Sequence, residues 1–303
     1  MSWVRTPLAA PIFPSKLIPP AAGNSRALGL DCTARPELPP APHKQTMAKL
    51  AAAAAPPNLF AGTSGWAYST WKPGFYPPDV PARAFLNFYA AQLNSVEVNY
   101  TFRTLPSATQ LQGWLDATPP GFRFSFKAPQ RITHFQRLKL SSDTVAEFIA
   151  ALQPARTTCK LGPLLFQLPP NFAADHARLD AFLNISALDK NLQLAFEFRH
   201  ASWFSDETYS ILRRHNAALC VAESDDLATP DVPTAGFRCY RLRHDGGYSA
   251  NQIAAFASRF TALARQGELF AYFKHEDEPT GALNAAALLS AASKPDSTAG
   301  AGQ

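Results

Sequence analysis

The sequence predicts a parallel (β/α)8 barrel, and three observations carry that expectation. From Phe60 onward, short apolar segments alternate with helical ones about eight times. The repeating stretch is close to the roughly 250 residues at which such barrels commonly form one domain. The competing architecture, an open doubly wound sheet, usually places a glycine-rich phosphate turn after its first strand. Here Gly62-Thr63-Ser64-Gly65-Trp66 stands there, without the GxGxxG spacing.

The strands follow in order. The first is expected over Leu59 to Ser64, the second over Ser95 to Tyr100 and the third over Arg123 to Lys127. The fourth covers Pro163 to Leu168, the fifth Leu192 to Phe198 and the sixth Ala218 to Ser224. Gly236 to Arg243 and Glu268 to Lys274 complete the set. Each is apolar or alternating and bounded by Gly, Pro or polar residues, as short strands are. Helical spacing recurs near 81–93, 106–117, 141–153, 173–187, 204–215, 249–266 and 280–292. Start signals sharpen two of these: Ser141, Ser142 and Asp143 precede one, and Ser205 with Asp206 and Glu207 opens another. After the sixth strand, DDLATPDVPTAG is too rich in Pro and Gly for a helix, so a loop or single turn is expected.

Residues 1–57 follow other rules. They hold 11 of the 27 prolines and no helical or strand period, so an extended, disordered segment is expected. Its prolines interrupt any signal-peptide apolar region. Met47 is the second of two methionines and is the alternative start expected for the natural chain. The barrel domain is assigned to residues 58–293 and a disordered tail to 294–303. An apolar share of 47% supports a sizeable core. The formal charge is +5, but residues 1–46 carry five basic against two acidic side chains, leaving +2 for the remainder. That near-neutral body is weak support for a phosphate-backbone binder, although it does not exclude nucleic acid. Cys32, Cys159, Cys220 and Cys239 lack metal-ligand spacing, and no apolar run reaches membrane-spanning length. A cytoplasmic protein is expected.

Barrel chemistry collects where strands end in the C-terminal direction. Alternation then nominates Glu97 with Asn99, Lys127, Gln167, Glu197 with Arg199, Glu223, Arg241 with Arg243, and Lys274. Glu97 and Glu197 read as a general acid and base, or else as partners of Lys127 and Arg199 in structural ion pairs. Lys127 reads as an anion clamp or neutralising cation; a Schiff-base role requires a lowered pKa. Arg241 and Arg243, with Gly246 and Gly247 beyond, suit a phosphate or carboxylate, or an ion pair with Glu223. His200 is the best-placed histidine, with His134, His244 and His275 as further candidates. Trp66, Tyr68 and Trp71 after the first strand, and Trp203 after the fifth, offer rings for stacking or simply pack their own loops. The cofactor is unknown. A divalent metal fits the residue types without favoured spacing.

Five segments carry a family likeness: GTSGWAYSTWKPGFYP from Gly62, VEVNYTFRTLPS from Val96, FRFSFKAPQRITHFQRL from Phe122, GPLLFQLPPNF from Gly162 and FEFRHASWF from Phe196. Over roughly residues 60–290 the chain resembles the domain of unknown function 72 family, also called YecE-like. The resemblance implies a TIM barrel and no particular activity. The last three strand ends depart from it. Glu223 stands where the family typically has Asp, Arg241-Leu242-Arg243-His244 replaces Arg-Leu-His-Gly, and Lys274-His275-Glu276-Asp277 replaces Asn-Asn-Asp after Phe273. Asn284 and Ala285 match a later Asn-Ala pair.

The functional expectation is an enzyme, a hydrolase or an isomerase/lyase, acting on a small polar or anionic substrate. Glu97, Glu197, Lys127 and His200 are the catalytic candidates. Trp66, Tyr68, Trp71, Asn99, Gln167, Arg199, Trp203, Arg241 and Arg243 are the binding ones. The alternative is a non-catalytic barrel that binds a ligand or nucleic acid. Oligomeric state is not predicted.

Overall fold

The structure is a computed structural model and describes residues 56–139, 142–223, 227–274 and 277–294. The extension expected up to residue 57, the tail from 294, Ser224 and His275 therefore lie wholly or almost wholly outside the described residues.

Eight parallel strands form one sheet: β1 Leu59–Thr63, β2 Ser95–Val98, β3 Arg123–Lys127, β4 Leu161–Gln167, β5 Leu194–Glu197, β6 Ala218–Ala222, β7 Arg238–Leu242 and β8 Leu269–Phe273. Their spatial order, β1-β8-β7-β6-β5-β4-β3-β2, is that of a (β/α)8 barrel. Around it run α1 Phe85–Gln92, α2 Ala108–Asp116, α3 Ser142–Ala151, α4 Gln153–Thr157, α5 His176–Leu183, α6 Asp206–Arg214, α7 Ala250–Ala264 and α8 Thr280–Ala292. Among the described residues no helix follows β6, in line with the proline-rich stretch there. Local chemistry starts the helices. Ser205 accepts from the Thr208 amide, Asp206 and Glu207 occupy the positive end of α6, and Arg213 and Arg214 occupy its negative end. Ser249 and Gln252 form a reciprocal capping box on α7.

The second strand is shorter than expected. It ends at Val98, and Tyr100–Phe102 turn into a 3-10 helix. Thr101 holds this turn, its one hydroxyl hydrogen shared between the Lys127 carbonyl at 2.6 Å and the Val98 carbonyl at 3.0 Å.

Two apolar cores result. Phe60, Leu165, Ala195, Ala218, Cys220, Phe237, Cys239, Phe270 and Tyr272 fill the barrel interior. A larger layer, including Phe124, Phe166, Phe196 and Leu212, seals strands against helices. Burying each such side chain contributes about 1.5–3 kcal/mol. The Tyr272 hydroxyl, within the filled interior, meets Ser95 Oγ at 2.7 Å and Ser125 Oγ at 2.5 Å. The interior is thus a packed floor beneath the mouth.

Barrel closure uses a different device at one place. β1 and β2 share a single parallel bridge, between Ser64 and Glu97. Side chains make the rest of the joint. The Asn94 amide donates to the Leu59 carbonyl and accepts from the Ala61 N–H, both at 2.8 Å. The Tyr89 hydroxyl accepts from the Thr63 N–H at 2.8 Å and donates to the Ser95 carbonyl at 2.9 Å. Gly62 permits the approach: a Cβ there would stand 1.8 Å from the Ser95 carbonyl oxygen. No helix among the described residues is long and apolar enough to cross a membrane.

Candidate active site

The residues that close the floor are the last inward-facing positions of their strands. Gln167 pairs in register with Glu197, while Glu97 stands beside Ser125 and Arg241 beside Tyr272, so the polar side chains adjoin the rim of the filled interior. Arg241 is its hub. Nη1 donates to Glu197 Oε2 at 2.5 Å and Nη2 to Glu97 Oε1 at 2.7 Å, all three side chains being at most 2% exposed. Glu97 Oε1 also accepts from Ser64 Oγ at 2.8 Å, while its Oε2 is buried without a partner. Glu197 Oε1 accepts from Gln167 Nε2 at 2.9 Å and Arg199 Nε at 3.1 Å, with Arg243 Nη2 at 3.7 Å. Two buried carboxylates are costly unless paired, and here one planar guanidinium fork bridges both.

The electrostatics follow from this geometry. Burial alone would raise the Glu197 pKa, but Arg241, Arg243 and Arg199 and the Gln167 hydrogen bond hold it far below the usual carboxylate range. The two carboxylates likewise outweigh burial at Arg241 and push its pKa up. Lys127 has the opposite fate. Burial first, and then the Arg241 charge, lower its pKa from 10.5 to about 7, against the weaker pull of Glu197 and Glu97. Its Nζ donates to Gln167 Oε1 at 2.9 Å and stands 4.1 Å from the centre of the Phe102 ring. His134, edge-on to Phe102 at 5.0 Å, is lowered to about 4 by burial and by the charges of Lys127, Arg199 and Arg137.

The structure brings together Glu97, Glu197, Lys127, Gln167, Arg199, Arg241 and Arg243. Asn99 takes the next inward position after Glu97, with its Oδ1 buried and unpartnered. Trp66 is half-buried and edge-on to Trp114 at 5.2 Å, and the Tyr68 hydroxyl donates to the Ser64 carbonyl at 2.8 Å. Two proposed stacking rings need correction. Trp71 is completely buried among Tyr68, Phe75 and Tyr76. Trp203 is completely buried against Phe198 and Phe172, with its N–H donated to the Phe172 carbonyl at 2.7 Å. Both are core residues with no face toward a ligand. His200 caps the turn Ala201–Trp203 by accepting from the Ser202 amide, rather than joining the cluster. Of the expected ion pairs, Glu197 with Arg199 forms and the others regroup: Glu97 bonds Arg241 instead of Lys127, and Glu223 accepts a short hydrogen bond from the Tyr248 hydroxyl instead of pairing with Arg241. Residues 218, 220 and 222 of β6 share one side of the sheet, so position 223 points to the other.

Sequence reasoning passed over Ser64 and Phe102. Ser64 carries a legible signal, since it directly follows the first strand two places after Gly62. Phe102 carried none, because its 3-10 turn was expected to follow a longer strand. Among the described residues, no group of three His, Cys, Asp or Glu side chains is placed to hold a metal ion.

Comparison with known proteins adds the family context. The family whose model matches residues 60–301 is described as "Protein of unknown function DUF72". The chain is 27% identical over 184 residues to UPF0759 protein YunF of Bacillus subtilis, covering 58% of this chain and 64% of that protein. It is 31% identical over 121 residues to UPF0759 protein YecE of Escherichia coli, covering 40% of this chain and 43% of that one. The matches thus span less than two thirds of these curated relatives. A DUF72 family protein of Thermotoga maritima is 25% identical with a TM-score of 0.66, covering 76% of this chain and 97% of that structure. One of Enterococcus faecalis, 18% identical with a TM-score of 0.66 over 78% of this chain and 96% of its own, shares the fold.

Proposed function

The chain belongs to the DUF72 family, and from that premise we propose that its barrel mouth is the active centre of an enzyme acting on a small anionic substrate. One observation carries the reading: the cluster sets three guanidiniums and an amine against two carboxylates. Arg241 offsets only one of the two carboxylate charges, and Arg199 and Arg243 share the other at Glu197, so four cations against two carboxylates leave a surplus of +2 at the mouth while Lys127 is protonated. A cationic cleft with low-dielectric walls concentrates anions.

In this reading the carboxylates are fixed counter-charges rather than an acid and a base. Glu197 stays ionised throughout the working pH range, and Glu97 is committed to Arg241 and Ser64. The group that exchanges protons near neutrality is Lys127. That favours addition, isomerase or lyase chemistry over glycoside hydrolysis, which needs two independent carboxyl groups. A pure binding protein would use the same arginines and gain nothing from an amine titrating near 7, which is why the enzymatic reading is preferred.

Calorimetric titration of the purified chain with inorganic phosphate and with pyruvate at low salt is the test. Millimolar or tighter binding of either anion, weakened about tenfold or more (about 1.4 kcal/mol) in Arg243→Ala, is expected. A protein that binds neither, or an Arg243→Ala variant that binds equally well, would sink the reading.

A further inference from the structure

We propose that Lys127 is a nucleophile that forms an imine with the carbonyl carbon of an aldehyde or ketone bearing a carboxylate or phosphate. The inference rests on the anion-binding mouth just described and adds the reactive group's mode of action and its substrate class.

The geometry of the amine points there. Lys127 ends β3 on the inward side, at the barrel mouth, and remains partly exposed, so a ligand can reach it. Among the described residues no carboxylate stands within ion-pair distance of its Nζ. The two that share the mouth are occupied by Arg241, Arg199 and Arg243. Its hydrogen-bond partner is a neutral amide oxygen. Gln167 is held in one orientation because its Nε2 donates to Glu197, so its Oε1 faces Lys127. A neutral amine still has a hydrogen to donate to that oxygen, so deprotonation breaks no contact. The Phe102 ring shields one side of the amine from water, although its face, 4.1 Å from Nζ, attracts the ammonium form. A lysine poised as a nucleophile needs this combination: desolvation, nearby positive charge and no carboxylate in direct contact with the ammonium. The pKa of about 7 agrees with it.

The step balances without a further reagent. The nitrogen lone pair attacks the carbonyl carbon, a C–N bond forms, and the C=O π pair moves to oxygen. That oxygen takes up the proton the nitrogen loses, giving a carbinolamine. The C–O bond then breaks, its oxygen leaves as water with the second proton from nitrogen, and a C=N bond remains. Arg199 and Arg243 would hold the adjacent anionic group during both stages.

Reductive trapping on the intact chain tests this. The protein is treated with sodium cyanoborohydride and one of three aldehydes: glyoxylate, glycolaldehyde phosphate or uncharged glycolaldehyde. Adducts are then located by peptide mass mapping. The expected result is near-stoichiometric modification of Lys127 by at least one charged aldehyde, at least tenfold faster than by glycolaldehyde, with a rate rising to a plateau about a midpoint near pH 7. Preference for glyoxylate assigns a carboxylate substrate, and preference for glycolaldehyde phosphate assigns a phosphate one. Modification spread over surface lysines without excess at Lys127 overturns the proposal. If calorimetry shows anion binding while Lys127 stays unmodified, the nucleophile falls and the anion site survives. If all three aldehydes label Lys127 equally, the nucleophile survives and the anionic substrate class falls.

Discussion

Lys127 and Lys160 stand at opposite ends of adjacent strands, and both amines have been taken largely out of water. Lys127 ends β3 at the mouth, whereas Lys160 immediately precedes β4 at the floor and is 7% exposed. Burial lowers the pKa of each. Their partners differ completely. Lys160 Nζ donates to the Leu115 carbonyl at 2.6 Å, the Thr118 carbonyl at 2.7 Å and Thr118 Oγ1 at 3.1 Å, spending its three hydrogens on oxygens at the negative end of α2. Lys127 has one neutral acceptor and a ring, and stays partly exposed. Burial alone therefore does not mark a reactive lysine. An incomplete set of partners beside an accessible space does.

The contrast breaks hardest at Arg241. Arg241→Leu leaves Glu97 and Glu197 buried without their shared cation, and a loss of about 3–5 kcal/mol in urea unfolding is expected. In whatever fraction folds, Lys127 inherits the carboxylates, so the midpoint of its aldehyde labelling shifts upward. Lys160→Met comes next. Stripping the α2 carbonyls of their donor costs about 1–3 kcal/mol, while phosphate and pyruvate affinities measured by calorimetry stay unchanged. Lys127→Met has the smallest effect near neutral pH, and its signature is a pH dependence. Between about 7 and the unfolded lysine value, the unfolded chain holds more protons at residue 127 than the folded one. Wild-type stability accordingly gains with rising pH through that window, and the gain disappears in Lys127→Met. Paired denaturation curves at pH 6 and pH 9 measure it; parallel shifts in both proteins would refute the lowered pKa.

Much of this was legible in the chain. β3 alternates as Arg-Phe-Ser-Phe-Lys, so its bounds can be read to the residue, and the Pro- and Gly-rich stretch after β6 signals the missing helix. Alternation along strands also nominated Glu97, Lys127, Gln167, Glu197 and Arg241. Their pairing was not legible. Glu97 and Arg241 lie 144 residues apart and meet only because of how the barrel's strands are staggered, a quantity no local pattern encodes. The aromatic loops stay ambiguous in the sequence for a related reason. Trp71 and Trp203 sit in irregular turns without a period, where nothing in the sequence separates a ring that shields a core from one that faces a ligand.

The joint between β1 and β2 has a consequence for how this fold tolerates change over generations. Elsewhere around the cylinder, neighbouring strands are bound mainly through main-chain groups, which any amino acid but proline supplies in full, so most drift there alters packing but not connection. Between β1 and β2 the connection itself is written in particular side chains: Tyr89, Asn94, Ser64 and Glu97. A single codon change at any of them removes a stitch. Glu97 belongs to both the stitch and the charged layer, so selection on the mouth and selection on closure act on one residue. Lineages that remodel the site most freely are expected to do so from β3 onward and to leave this quarter of the ring alone.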